Sequence, residues 1–259
     1  MFKDYPHKNK ILKNQPNTII KSLADKSVLE KEFYILKFLE NLSFVPRVSN
    51  FDGKVFLEEK LSGREMIKDD LSEDSIKELA LILRKIHLLD ILPSIKKYIY
   101  NDFLIDGKYQ PVSIMRAILK EVPPQIIDKH EDVLCEIARN IESKLKNKNY
   151  QVSLIHGDLS LHNIFFQKDD IFLIDWTDCR LDISSCDVSQ LFYLLDLSHV
   201  QQKIFLKHYD MDYIDDEILI FHRLLLLLHD LAHSAIKGEM LDEDYITKLS
   251  LECKIFYER

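Results

Sequence analysis

Glycine is scarce in this chain of 259 residues: there are five, and none lies within the first fifty positions. A glycine-rich phosphate loop near the N-terminus is thereby excluded, because such loops depend on bare backbone amides that approach phosphate oxygens closely. The four cysteines, Cys135, Cys179, Cys186 and Cys253, form no C-x-x-C pair and follow no regular spacing. That argues against a disulfide framework or a zinc ribbon and leaves free thiols. Positive charge is in deficit, with a formal net charge of -8. Nucleic-acid sites usually carry a basic face, so no nucleic-acid partner is expected. No apolar run approaches the ~18 residues of a membrane span. The longest is Leu224 to Leu228, and the opening MFKDYPHKNK has no apolar signal core. The expectation is a cytoplasmic protein without a membrane partner; its oligomeric state leaves no mark on the sequence.

With 46% hydrophobic residues the chain can build one large domain or two lobes around a shared cleft. Its polar chemistry is concentrated between Gln151 and Asp178, QVSLIHGDLSLHNIFFQKDDIFLIDWTD. His156, Asp158 and Asn163 lie between two apolar β-prone runs, Val152 to Ile155 and Ile164 to Phe166. Asp169 and Asp170 supply a turn, and Ile171 to Ile174 delivers Asp175 at its end. The pattern predicts a hairpin that brings two carboxylates to one place. Phosphoryl transfer from a nucleotide needs a carboxylate to orient the attacking hydroxyl and oxygen ligands for magnesium. In the H-x-D-x-x-x-x-N spacing, Asp158 fits the base, and Asn163 and Asp175 fit the metal ligands. The plainer alternative is a surface loop whose carboxylates only cap turns.

HGDLSLHN and LIDW resemble the aminoglycoside phosphotransferase and choline kinase family, the small-molecule branch of the protein-kinase-like fold. The resemblance is carried by residues 151–190 and is diffuse elsewhere. It implies an α/β (α+β) fold of two lobes, a small β-rich nucleotide lobe at 1–60 and a larger, mainly helical catalytic and acceptor lobe at 64–259. A hinge at about 58–63 would set Glu59 and Leu61 beside the base. The cosubstrate would be ATP, or GTP, with Mg2+. Lys21, at the end of Thr18-Ile19-Ile20, would steady the phosphates and Glu32 would fix that lysine. Glu30 is the rival to Glu32, and the two cannot face the same lysine. Tyr5 to Asn9 occupies the place of the phosphate-covering loop. His156 would support the catalytic loop and Asp187 would brace it, with an N-cap as the local alternative for Asp187. Eleven residues separate Asp175 from Asp187, Trp176 replaces the Phe of D-F-G, no A-P-E follows and Ser160 stands where protein kinases often carry lysine, so a protein kinase does not fit.

Periodicity predicts strands at Lys10 to Leu12 and Thr18 to Ser22 and a helix over Val28 to Leu42 with apolar Phe33, Ile35, Leu36, Phe38 and Leu39. A hairpin turns at Asp52-Gly53 between Val45 to Asp52 and Lys54 to Lys60. A helix capped by Asp70 and Glu73 carries Ile76, Leu79, Ala80, Leu83 and Ile86, with His87 as a structural histidine near its end. Residues 91–125 read as irregular, Ile126 to Leu145 as one long helix, and Asp187 opens another. His222, His229 and His233 share a helix face beside Asp230, which leaves a metal-dependent hydrolase conceivable. Asp230 and Glu239, the latter in an acidic cluster with Asp242, Glu243 and Asp244, are the acceptor-binding candidates; a solvated loop is the alternative for the cluster. The expected activity is transfer of the γ-phosphate to a hydroxyl of a small, cationic, aminoglycoside-like molecule. Choline, ethanolamine or thiamine are the alternative acceptors, and a catalytically silent nucleotide-binding regulator is the alternative of another class.

Overall fold

The computed structural model describes residues 10–14, 17–22, 25–99, 104–105, 108–146, 150, 152–168, 170–210, 215–237 and 243–258. The expected stretch Tyr5 to Asn9, Asp169 and Glu239 lie outside them. Strands β1 (Lys10–Asn14), β2 (Thr18–Ser22), β3 (Val48–Ser49) and β4 (Phe56–Glu59) form an antiparallel sheet in the order β1-β2-β4-β3. Lys21 lies opposite Phe56, and Ile19 opposite Glu58. Helix α1 (Lys26–Phe38) begins at Asp25, whose side chain accepts from the Ser27 amide at 2.8 Å. It is shorter than periodicity predicts, and its buried face is Leu29, Glu32, Ile35 and Leu36. Phe33 instead stacks on Phe51, at 4.9 Å, under the β3–β4 loop. That loop is wider than the two-residue turn expected, because Asp52 Oδ1 accepts from both Lys54 and Val55 amides and closes a side-chain turn.

The remaining strands are β5 (Arg64–Glu65), β6 (Leu104–Ile105), β7 (Lys108–Tyr109), β8 (Val152–Ile155), β9 (Ile164–Gln167), β10 (Asp170–Leu173) and β11 (Arg180–Ile183). β9 and β10 pair as expected, and β5 adds to β9. β8 does not join them: it pairs with β11, whose RLDI alternates charged with apolar residues over only four positions. The segment between the first sheet and β5 is drawn tightly against β9. A methyl group on Gly63 would lie 1.5 Å from the Phe166 carbonyl oxygen.

Helices α2 (Glu73–His87), α3 (Pro93–Lys96), α4 (Pro111–Leu119), α5 (Pro124–Ile127), α6 (Glu131–Lys146), α7 (Ser185–Leu194), α8 (His199–Tyr209), α9 (Asp216–Ile236) and α10 (Glu243–Tyr257) make up the rest. α2 starts at Ser72, whose Oγ accepts from Ser75, and not at Asp70. Asp70 instead pairs with Arg64 and accepts from the Ile67 amide. The region 91–125 is more regular than its prolines suggest, since Pro93, Pro111 and Pro124 each open a helix, where a missing N–H costs nothing. The long helix expected from Ile126 is broken between α5 and α6.

Two cores result. One runs from α1 and the first sheet through α2, β9, β10, α7 and α8; the other joins α4, α5, α6, α9 and α10. By length and hydropathy α9 is the one described helix able to cross a membrane, yet 61% of that window is buried, as in a core helix. Gly63→Ala is expected to force β5 away from β9 and lower the unfolding free energy by about 2 kcal/mol or more, read as a lower midpoint in urea. An equilibrium denaturation curve unchanged from the parent protein would contradict this close approach.

Candidate active site

The loop between β8 and β9 is held from behind by one carboxylate. Asp187, in the first turn of α7, is fully buried. Its Oδ2 accepts from the His156 amide at 2.8 Å and its Oδ1 from the Gly157 amide at 2.9 Å. His87 Nε2 lies 3.1 Å from Oδ2, and since a carboxylate only accepts, His87 donates there and its Nδ1 faces Tyr209 Oη. Burial works to raise the Asp187 pKa, but the hydrogen bond and charge of His87, the charge of His156 and the Gly157 amide outweigh it and hold the carboxyl below its ordinary value. Asp187 therefore braces backbone instead of capping α7, which Ser184 precedes. Gln190, one turn on, donates to Gly157 O at 2.9 Å and accepts from the Leu159 amide at 3.0 Å. Gly157 has φ +85, and a Cβ there would sit 2.4 Å from Asp178 O, so this turn requires glycine on both counts.

His156 is buried, with Nε2 3.0 Å from Ile174 O and Nδ1 accepting from the Asp158 amide at 3.3 Å. Both ring nitrogens are engaged, and the ring packs 4.6 Å from Trp176. Asn163 Nδ2 donates to Asp158 Oδ2 at 2.7 Å and to Asp158 O at 3.0 Å. Partial burial raises the Asp158 pKa, and the charges of Asp178 and Asp175 add to that, while His156 and the Asn163 bond pull it down; the net direction is upward. Asp175 ends the β9–β10 hairpin with φ +59, a conformation that costs a non-glycine residue strain. Thr177 Oγ1 donates to its Oδ1 at 2.9 Å, and the Ile174 amide donates to Asn163 O at 3.0 Å, which ties the Asp175 carboxylate to a neighbouring hydroxyl and the backbone of Asn163 to the residue before Asp175.

Lys21 projects from β2 towards the same hairpin. Its ammonium bonds Glu32 of α1 and stands 3.8 Å from both Glu58 of β4 and Asp175. Burial disfavours its charge, but the three carboxylates prevail and its pKa is raised. Glu32 also accepts from the Trp176 amide at 3.2 Å, so α1, β2 and the Asp175 segment meet at one carboxylate. Burial, with Glu58 and Asp175 nearby, pushes Glu32 up to about 7 against the pull of Lys21. Glu30 faces elsewhere, 3.4 Å from Tyr98 Oη. Glu59 is tied to Arg47 by a backbone bond of 2.8 Å and a side-chain bond of 3.2 Å. With Leu61, Ser62, Gly63, Asn17 and Gln167 it lines a cleft of about 570 Å³.

Three carboxylates around one ammonium leave an excess of negative charge, and Glu32 Oε2 and Glu58 Oε2 are buried without a hydrogen-bond partner among the described residues. Asn163 and Asp175, the residues expected to hold magnesium, offer oxygen donors of the hard kind that ion takes. The C-terminal histidines behave differently. His222 is buried against Cys186 Sγ at 3.3 Å and Tyr109 Oη at 3.5 Å, and burial lowers its pKa to about 3. His229 and His233 stack at 6.2 Å, and among the described residues no three His, Cys, Asp or Glu side chains are grouped to hold a metal ion. Asp230 accepts from Tyr193 Oη at 2.9 Å. Sequence reasoning passed over Glu58 and Gln190, because a Glu in an exposed-looking hairpin and a Gln beside an apolar face carry no local signal.

The sheet with Lys21, the paired helix carboxylate and the braced H-x-D loop define a kinase-like phosphotransferase. A model of the phosphotransferase enzyme family APH matches residues 20–217, and the chain belongs to that family. Protein LicA homolog of Metamycoplasma hominis is 23% identical over 188 residues, 73% of this chain and 69% of the relative. Choline kinase LicA from Streptococcus pneumoniae superposes with a TM-score of 0.68 at 18% identity, over 95% of this chain and 88% of that one. The GDP and kanamycin complex of an APH(2")-type enzyme gives 0.69 at 15% identity, over 99% and 95%. At such identities the superpositions show a shared fold.

Asp187→Asn would leave one loop amide facing an NH2 group. A loss of about 3 kcal/mol is expected, as for a buried charge network deprived of a partner, and chemical denaturation monitored by circular dichroism would detect it.

Proposed function

We propose that this phosphotransferase moves the γ-phosphoryl group of ATP, with GTP as the alternative, to the hydroxyl of a small cationic alcohol. The observation that carries the reading is the convergence of four residues: Asn163 bonds Asp158, the backbone of Asn163 accepts from the Ile174 amide beside Asp175, and Asp175 lies 3.8 Å from the Lys21 ammonium. Asp158 orients the acceptor hydroxyl and takes its proton late, since a loose transition state asks mainly for positioning and charge neutralisation. Asn163 and Asp175 hold Mg2+, which when bound supplies positive charge to the phosphate oxygens. Lys21 steadies the phosphates while Glu32 fixes its direction, and His156 keeps the loop in shape.

For the acceptor, choline or a related amino alcohol is the first reading. It is supported by likeness to a LicA homolog in sequence and to a choline kinase LicA in structure. An aminoglycoside, the acceptor favoured by composition, is the second reading and draws on likeness to a kanamycin-bound enzyme. Asp178, exposed near Asp158, suits either cation.

The test is nucleotide consumption with magnesium against choline, ethanolamine, thiamine and a panel of aminoglycosides. Asp158→Ala and Asp175→Ala are both expected to abolish acceptor-dependent turnover, and only the second to weaken magnesium-dependent nucleotide binding. Near-normal turnover in both would sink the assignment. Nucleotide binding without turnover on any acceptor would instead favour the silent regulator.

A pH profile gives a separate check. Asp158 must be deprotonated to work, and its pKa is raised, so activity is lost on acidification at a higher pH than for an ordinary carboxylate. Asp178→Asn removes one of the charges that raises it. The acid limb of kcat/KM is therefore expected to move to lower pH in that variant.

A further inference from the structure

Backbone sets the direction of the Asp158 carboxyl. Two rigid peptide planes meet at its Cα, one carrying Gly157 O and the Asp158 amide, the other Asp158 O and the Leu159 amide. Fixing both planes fixes φ and ψ at Asp158, and with them the line along which its side chain leaves the chain. The two inner groups are held from within the loop, the Asp158 amide by His156 Nδ1 at 3.3 Å and Asp158 O by Asn163 Nδ2 at 3.0 Å. The two outer groups are held by one side chain from elsewhere. Gln190 Nε2 donates to Gly157 O at 2.9 Å, and Gln190 Oε1 accepts from the Leu159 amide at 3.0 Å. Among the described residues Gln190 is the one side chain bonded to both planes.

This clamp has a firm base. Gln190 stands three residues after Asp187 on α7, so the two side chains leave the same face of the helix. Val188, Ser189 and Leu191 are buried around it, and Ser189 Oγ donates to Leu219 O of α9 at 2.9 Å. A carbonyl oxygen only accepts and an amide N–H only donates, so serving both at once needs a donor and an acceptor on neighbouring atoms. A carboxamide has that pair; a carboxylate, an ammonium or an apolar group lacks it.

On the reading of Asp158 as the group that orients the acceptor hydroxyl, we infer that Gln190 is a positioning residue for phosphoryl transfer: by gripping the peptide groups on either side of Asp158 it aims that carboxylate at the acceptor. It acts through Asp158. Asp175 and Lys21, which the same reading assigns to metal and phosphates, are held by Thr177 and Glu32, so nucleotide binding does not depend on Gln190.

Gln190→Met and Gln190→Glu in the full chain test this, on whichever of choline, ethanolamine, thiamine and the aminoglycosides the parent protein uses. Gln190→Met fills nearly the same space and removes both bonds. Misplacing a reacting group by about 1 Å lowers the rate by about 100-fold, so kcat is expected to fall at least about tenfold, with KM for ATP and magnesium-dependent ATP binding near those of the parent. Gln190→Glu keeps an acceptor for the Leu159 amide but sets another against Gly157 O and adds a negative charge near Asp158. A similar loss of kcat is expected, and the acid limb of kcat/KM moves to higher pH, because the added charge disfavours the ionised Asp158 carboxyl. Gln201→Met is the control for stability: Gln201 Nε2 donates to Leu71 O at 2.9 Å, and losing this similar bond should lower the melting temperature but leave kcat unchanged.

Circular dichroism and melting establish that each variant is folded, and if one Gln190 variant fails to fold the other carries the test. Failure of both to fold would mark a structural role and overturn the inference. So would a folded Gln190 variant whose kcat falls by less than about tenfold, or whose ATP binding falls as far as its kcat. Those results leave the reading of Asp158 standing if Asp158→Ala is inactive; normal turnover by Asp158→Ala removes that reading and the inference with it. A parent protein that uses none of the acceptors would overturn both.

Discussion

A carboxylate shut off from water holds the central loop in shape. Asp187 satisfies two consecutive backbone amides, those of His156 and Gly157, and is itself held by His87. Without that acceptor two buried donors would be orphaned at the point where Gly157 takes a left-handed conformation, so the loop would relax to another path. The arrangement links α2, α7 and the loop in one buried network, and Tyr209 of α8 extends it. The geometry of Asp158 is thus a property of helix packing behind the loop as much as of the loop itself.

On the other side of Asp158 the balance of charge is reversed. Among the described residues Lys21 is the one cation between Glu32, Glu58 and Asp175, in a place where water is largely absent. Low dielectric magnifies both the attraction of each carboxylate to Lys21 and the repulsion among them. The strained backbone of Asp175 adds to this. A site with surplus negative charge and a strained carboxylate is poised to gain from a divalent cation and its phosphates, so stability and function pull in opposite directions there. The bond from Trp176 to Glu32 lets the helix carboxylate register the Asp175 segment and Lys21 together.

The fold is shared with kinases whose names point to different acceptors, choline and kanamycin among them. That is what a common phosphoryl-transfer frame with variable acceptor surfaces would give. The frame is dense in buried polar contacts around residues 156–190, whereas the C-terminal helices α9 and α10 are packed mainly by leucine and other apolar side chains and present fewer fixed polar groups.

Local pattern was enough to place His156, Asp158 and Asn163 in one loop between β8 and β9, because H-x-D-x-x-x-x-N between apolar runs is a short-range arrangement in which spacing largely dictates which side chains meet. The strands β2, β9 and β10 and the apolar face of α2 were legible for the same reason: each follows from a helical or strand period over a few residues. The helical period also shows that Glu30 and Glu32 cannot both face Lys21, but packing chose Glu32. What sequence could not decide was pairing between distant segments. That β8 joins β11 and not β9, that Asp187 serves backbone amides thirty residues earlier in the chain, and that Glu58 turns inward beside Lys21 all depend on contacts closed only when the chain packs. Burial turned those same charged residues, unremarkable in composition, into the groups that define the site, because a carboxylate acquires its pKa and its partners from neighbours that no local window contains.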